Sequence, residues 1–335
     1  PLDPLAQVST SGERIPARGG HSCVVADFQL VVFGGHFYKE NGFEYLSDTW
    51  VLDIESMAWQ EVRCGGEIPE SRYGHSCHLV GSRMFLICGK GKHGQLYRDV
   101  HFLDLVDWTW VPVNATSTGP SPRFGQASAL VGHKIVIHGG WDGTAQCFGD
   151  LWVFDTDSFA WMQPRVGGLP PSPRYGHAMV LLLDGRLIVS GGTTVEEGGI
   201  PQYHKDLLQL DTETMLWSKI NNMHPFYLSG IKLSGRYNHT LTLNEEGNSA
   251  IIFGGWGLGG LQQRELNKRT GAETLIACTV QSCKTISSCV PLLRGRGLPK
   301  HKFGHTCVAI GSAFFIFGGW NGQQAVSDVI VLEMD

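Results

Sequence analysis

Along the chain, apolar residues come in short runs punctuated by Gly, Pro and Asp, and the order of runs and punctuation repeats. One stretch shows the unit: His75-Ser-Cys-His-Leu-Val, Met84-Phe-Leu-Ile, Val100-His-Phe-Leu-Asp and Trp110-Val-Pro-Val, each followed by turn-forming residues. Runs this short, rich in β-branched and aromatic side chains, predict four brief strands per unit and no long helix.

Three markers fix the period. Arg-x-Gly-His or a close variant begins at Arg18, Arg72, Arg123, Arg174, Arg236 and Lys302, evenly at first and then at wider intervals in the last two steps. A short and nearly constant distance after each cation, an apolar run ends in Gly34-Gly35, Cys88-Gly89, Gly139-Gly140, Gly191-Gly192, Gly254-Gly255 or Gly318-Gly319, so only Cys88 breaks the pair. Next come two acids and a Trp at fixed spacing: Asp48/Asp53/Trp59, Asp99/Asp104/Trp110, Asp150/Asp155/Trp161 and Asp206/Asp211/Trp217. The fifth copy has Thr274/Thr279/Thr285 in those places, and the sixth has Asp328/Glu333 and then runs out of chain.

A four-stranded sheet of about 50 residues cannot bury both faces alone, so such units must stack on one another, as propeller blades do. The expected architecture is all-β: six blades of four antiparallel strands, with 1–17 holding the closing strand and connection, then blades at 18–71, 72–122, 123–173, 174–235, 236–301 and 302–335. Trp59, Trp110 and Trp161 precede Arg72, Arg123 and Arg174 by one and the same interval, and that interval counted back from Arg18 reaches Leu5. Leu5-Ala-Gln-Val8 is therefore expected to be the strand missing from the last blade, joining it and closing the ring.

The glycine pair after an apolar strand, the acid-bearing third strand and the spaced Trp resemble the kelch-repeat family over essentially the whole chain. The Pro-Ser-Pro-Arg form at 120–123 and 171–174 is similar to kelch proteins without a BTB-type domain. The resemblance implies a protein-interaction module, such as a substrate receptor, adaptor or scaffold of a larger complex. A minority of the family are enzymes, and fold alone does not choose between them.

The length of 335 residues and 42% hydrophobic content provide a sizeable core, and 44 Gly and 15 Pro fit many turns. A net charge of −5 without blocks of like charge argues against nucleic acid and anionic membranes as partners. No apolar run approaches a membrane span, and Pro1-Leu2-Asp3-Pro4 lacks a signal pattern. The chain starts without Met, which suggests an excised domain with further regions around it. Nine scattered Cys without a CxxC pair suit a reducing compartment, hence an intracellular protein, cytoplasmic or nuclear.

Candidate site residues follow from position. The cations Arg18, Arg72, Arg123, Arg174, Arg236 and Lys302 precede the innermost strands and are expected at one mouth of the channel. There they would either grip a carboxylate ligand or pair with acids of a neighbouring blade. The connections after the glycine pairs vary most between blades, the mark of a binding face. They carry His36, Phe37, Tyr38, Phe43, Tyr45, His93, Tyr97, Trp141, Phe148, Tyr203, His204, Trp256 and Trp320, and of these His36, Tyr38, Tyr45, His93, Tyr97, Trp141, Tyr203, Trp256 and Trp320 are expected to bind a partner. Trp141, Trp256 and Trp320 share the position directly after the glycines, where they would bind or cap their blades. The repeated His at 21, 75, 177, 239 and 305 could ring a metal, but Gln126 in the same place favours an inter-blade hydrogen bond.

No P-loop, dinucleotide fingerprint or Gly-x-Ser-x-Gly elbow occurs. Glu44 and Asp48 match the first two positions of the Glu-x3-Asp-x3-His array of iron-dependent kelch proteins, but Leu52 stands in the third. Cys278, Cys283 and Cys289 have neither zinc nor redox spacing and read as buried or loop thiols. The expectation is a non-enzymatic module for a protein or peptide partner, acidic or carboxylate-ended, without cofactor or metal. The alternative is an enzyme or isomerase on an anionic sugar or acid at the same mouth.

Overall fold

The computed structural model describes residues 5–40, 42–195, 201–220, 235–247, 249–257, 275–281, 285–291 and 302–333. Thr274 and Cys283 lie outside them, and for Cys278 and Cys289 the description extends to their backbone pairing across two strands. The chain is all-β, in a propeller arrangement of antiparallel sheets. The only helical turn among the described residues is a single 3-10 turn, Lys92–Gly94. No helix of the described residues is long and apolar enough to cross a membrane.

The first blade shows the common plan. Ser22–Ala26 pairs with Gln29–Phe33, which pairs with Thr49–Asp53, which pairs with Ala58–Val62. Leu30, Val32, Leu52 and Trp59 point to one side and Val31, Phe33 and Val51 to the other, each set joining a core shared with an adjacent blade. Strict alternation thus loads both faces, and stacking buries them. Five blades are described with side chains in every strand; beyond them Thr240–Leu243 pairs with Ser249–Phe253, and Leu275–Gln281 and Thr285–Pro291 are described in backbone pairing alone.

At the inner edge, backbone bonds step from blade to blade: Gly74 N–H donates to Gly20, Gly125 to Gly74, Gly176 to Gly125, Asn238 to Gly176, Gly304 to Asn238, and Gly20 to Gly304, at 2.7–2.8 Å. These residues have φ between 54° and 67°, and a Cβ on Gly74 would come 3.2 Å from the Gly125 nitrogen and the Phe124 ring. That is why the motif needs glycine there, and Asn238, a residue type that tolerates this conformation, is the one exception.

At the outer edge, each of three connectors pairs with the last strand of the following blade: Ser11–Gly12 with Ala58–Trp59, Gly65–Gly66 with Thr109–Trp110, and Gly167–Gly168 with Leu216–Trp217. Leu5–Val8 pairs antiparallel with Val329–Leu332, so the N-terminal segment touches both the last blade and the first.

Candidate recognition face

Strand direction alternates within a blade, so the Arg-x-Gly-His loops and the connections after the glycine pairs emerge at the same end. Each first-loop residue x forms a backbone bridge to the residue after the glycine pair: Gly19 with His36, Tyr73 with Lys90, Phe124 with Trp141, Tyr175 with Thr193, Tyr237 with Trp256, and Phe303 with Trp320. These twelve positions make an inner rim on that face.

Position x is aromatic in five copies, and its rings run from blade to blade. Ring centroids are 4.1 Å apart for His36 and Tyr73, 5.4 Å for Tyr73 and Phe124, 6.4 Å for Phe124 and Tyr175, and 6.0 Å for Tyr175 and Tyr237. Trp141 stacks on Tyr175 at 4.9 Å and 18°, Trp256 meets Phe303 at 5.3 Å, and Tyr203 meets Tyr237 at 5.7 Å. Gly19 is the exception at x because the Trp320 indole occupies the space that a Cβ there would need. Trp320 continues into a cluster with His36 and Phe43, capped by the hairpin of His36–Lys39 and Gly42–Tyr45, where Tyr38 and Phe43 are exposed and Tyr45 half-buried.

The rim residues Tyr73, Phe124, Tyr175, Tyr237 and Phe303 were not among the expected site residues. Their signal was the aromatic at x in Arg-x-Gly-His, which the regularity of the flanking Arg and Gly obscures. Burial pushes the phenols of Tyr73 and Tyr175 well above the ordinary tyrosine value, so the rim presents neutral rings. Burial likewise pushes His36 down to about 4, leaving it uncharged at neutral pH.

The motif cations have a different occupation from the expected one. Arg18, Arg72, Arg123, Arg174 and Lys302 are 0–1% exposed, so they form no open cationic mouth. Each Arg makes a two-pronged ion pair, as between Arg18 and Asp48 (2.8 and 2.8 Å) or Arg174 and Asp206 (2.6 and 2.9 Å), and Lys302 reaches Asp328 at 2.6 Å. The acids belong to the same blade and not to a neighbour: the guanidinium also donates to the first glycine-pair carbonyl, which ties three strands of one sheet. Arg236 likewise donates to Gly254 at 2.9 Å. Tyr97 and Phe148 cover the guanidinium groups of Arg72 and Arg123, 4.0 Å from each ring centroid. Burial pushes the carboxyls of Asp150 and Asp206 up, but the Arg hydrogen bonds and charge outweigh it and hold both below the usual carboxylate range.

The repeated His form inter-blade hydrogen bonds. His75 Nε2 lies 2.9 Å from Ser22 Oγ, His21 Nε2 2.9 Å from Thr306 Oγ1, His305 Nε2 3.1 Å from Thr240 Oγ1, and Gln126 donates to Ser76 Oγ at 2.9 Å. Where the hydroxyl is replaced by Ala127 or Ala178, the partner comes from the residue before the glycine pair instead: His138 for His177 at 3.0 Å, Ser190 for His239 at 3.2 Å. Among the described residues no cluster of His, Cys, Asp or Glu could hold a metal. Leu52 is fully buried mid-strand, so the Glu44–Asp48 pair gains no third ligand there.

Residues 20–255 match the family described as the KLHDC2/KLHL20/DRC7 Kelch-repeats domain, and residues 301–334 match the Kelch motif. The chain belongs to the kelch-repeat family. This kelch chain is 28% identical over 253 residues to acyl-CoA-binding domain-containing protein 4 of Arabidopsis thaliana, covering 70% of the chain and 36% of that protein. It is 26% identical over 362 aligned positions to human host cell factor 1, covering 98% of the chain and 17% of that protein, and 24% identical to host cell factor of Drosophila melanogaster, of which it covers 23%. The kelch chain thus spans about a third or less of these relatives. Kelch propellers typically serve as protein-interaction modules and are generally non-enzymatic.

Proposed function

We propose that the chain is a six-bladed kelch ring, closed by Leu5–Val8 in the last blade, and that it serves as a non-enzymatic recognition domain for a protein or peptide partner in a larger complex. The observation that carries the reading is the run of touching rings from Trp320 and His36 through Tyr73, Phe124 and Tyr175 to Tyr237, flanked on the same face by connections of unequal length. Rings held at the surface by neighbouring blades are rigid and partly desolvated, which suits interface anchors. Three paired segments stand around it, His36–Lys39 with Gly42–Tyr45, Gly89–Lys90 with Leu96–Tyr97, and Thr193–Val195 with Pro201–Tyr203, and blade three between the last two has only the short loop 142–146. A partner would lie over the rim in that gap, against Trp141, Tyr203 and Tyr175, with Trp320, His36, Tyr38 and Tyr45 at one end and Trp256 at the other. His93, exposed on its 3-10 turn, would meet the partner's periphery.

The test is a peptide-display selection on the purified domain, repeated with Trp141→Ala plus Tyr203→Ala and with the opposite-face pair Phe28→Asn plus Val106→Ser. Enrichment lost only with the first pair supports the reading. Enrichment lost only with the second moves the site to the other end.

A further inference from the structure

Of the twelve rim positions, eleven carry no charge at neutral pH, and the twelfth is Lys90. It follows Cys88-Gly89 and bridges Tyr73 as the corresponding residue of every other copy bridges position x. Its ammonium lies 4.9 Å from the centroid of the Phe124 ring. Lys90 is half-buried and makes no ion pair among the described residues, whereas the four Arg described above and Lys302 each close on an Asp.

The nearest loop leaves the ammonium open. Asp142 is committed to its own turn, accepting from Thr144 N at 2.8 Å, Thr144 Oγ1 at 3.0 Å and Gln146 N at 3.0 Å. Between them stands Gly143, where a Cβ would come 3.4 Å from the ammonium. A cation with three donors over an aromatic face gains little from the ring and much more from an anion brought into a site shielded by apolar groups.

We infer that Lys90 anchors a carboxylate of the bound peptide while the neighbouring ligand residue, apolar or aromatic, lies on the Trp141–Tyr175 stack. The inference rests on the peptide-recognition reading above and specifies its ligand. One fixed positive charge in an otherwise neutral rim, on a protein of net charge −5, selects a single carboxylate and disfavours a polyanion. The carboxylate is either a free C-terminus or an Asp or Glu side chain.

The experiment runs peptide-display libraries with free and amidated C-termini against the purified domain, then measures the enriched peptides on Lys90→Gln and Lys90→Arg, with thermal melts of both variants. Expected are carboxylate-bearing peptides whose affinity falls about 10- to 100-fold in Lys90→Gln, recovers in Lys90→Arg, and weakens with salt, at unchanged melting temperature. Loss of enrichment on amidation assigns the terminal carboxylate, and retention assigns an acidic side chain. Peptides that bind Lys90→Gln as well as the parent overturn the inference and leave the recognition face standing. If no peptide enriches, the peptide reading falls and this inference with it.

Discussion

Gln126 reaches across a blade boundary to the carbonyl of Ile87, at 3.4 Å, the residue that leads into Cys88. In other blades a glycine stands in the place of Cys88 and the next blade supplies His where blade three has Gln126. A Cβ on Gly139, Gly191, Gly254 or Gly318 would come 2.6–2.8 Å from Cε1 of that His. The two departures from the motif are thus one contact: without an imidazole carbon opposite, Cys88 keeps a side chain, although its φ is 64°.

It follows that Gln126→His destabilises the parent by about 1–3 kcal/mol through overpacking and costs less when Cys88→Gly is present. Urea unfolding of both singles and the double gives the coupling. Additive effects would show the two positions to be independent.

Arg174→Ala should cost about 3–5 kcal/mol, because it leaves Asp206 without its partner inside the blade. Arg174→Met should cost less than Arg174→Ala, since its side chain refills part of the space. Denaturant melts decide between this and a ligand role, which predicts near-parental stability for both.

The buried imidazoles make stability pH-dependent. Burial pushes His36, His78 and His138 down to about 4 and His75 and His239 to about 3, with His21, His177 and His305 also well below the ordinary value near 6.5. Below pH 6.5 the unfolded chain therefore takes up protons that the folded one refuses. The stability is fully present above 6.5 and is lost as pH falls from there towards 4, by up to ~1.4 kcal/mol per pH unit for each group. Melting temperature measured from pH 7.5 to 4.5 should be flat at first and then fall steeply. A flat profile down to pH 5 would mean that these groups are not held neutral.

Deleting residues 1–12 removes both the strand against Val329–Leu332 and the clasp on Ala58–Trp59. The melting temperature should fall by roughly 5–10 °C. Deleting 1–4 alone should leave it unchanged, since the paired strand starts at Leu5. Differential scanning calorimetry of the two truncations separates these outcomes.

The kelch pattern was legible because stacking forces the same Gly, Asp and Trp chemistry on the first four copies and the glycine pair on all but one. The His places were legible for a related reason: Gln126 shares their one necessary property, a side-chain nitrogen that hydrogen-bonds across the blade boundary. The Arg places were not, because a buried guanidinium and a ligand-gripping one need the same residue. The deciding fact, that Asp48, just ahead of the third strand of the same blade, comes within hydrogen-bond reach of Arg18, is spatial. The change of partner from Ala127 to His138 could not be read from the sequence either, since the two lie on different strands and are exchanged only through His177 of the next blade. The aromatic rim was written in the sequence at position x, but nothing there says that those rings touch.

The cycle of backbone bonds through Gly20, Gly74, Gly125, Gly176, Asn238 and Gly304 has no first or last member, so each residue in it gives through its N–H and receives through its carbonyl. Widening the aperture at any point would break a bond with no neighbour free to replace it. An aperture edged in this way holds its bore, because any opening costs at least one backbone hydrogen bond.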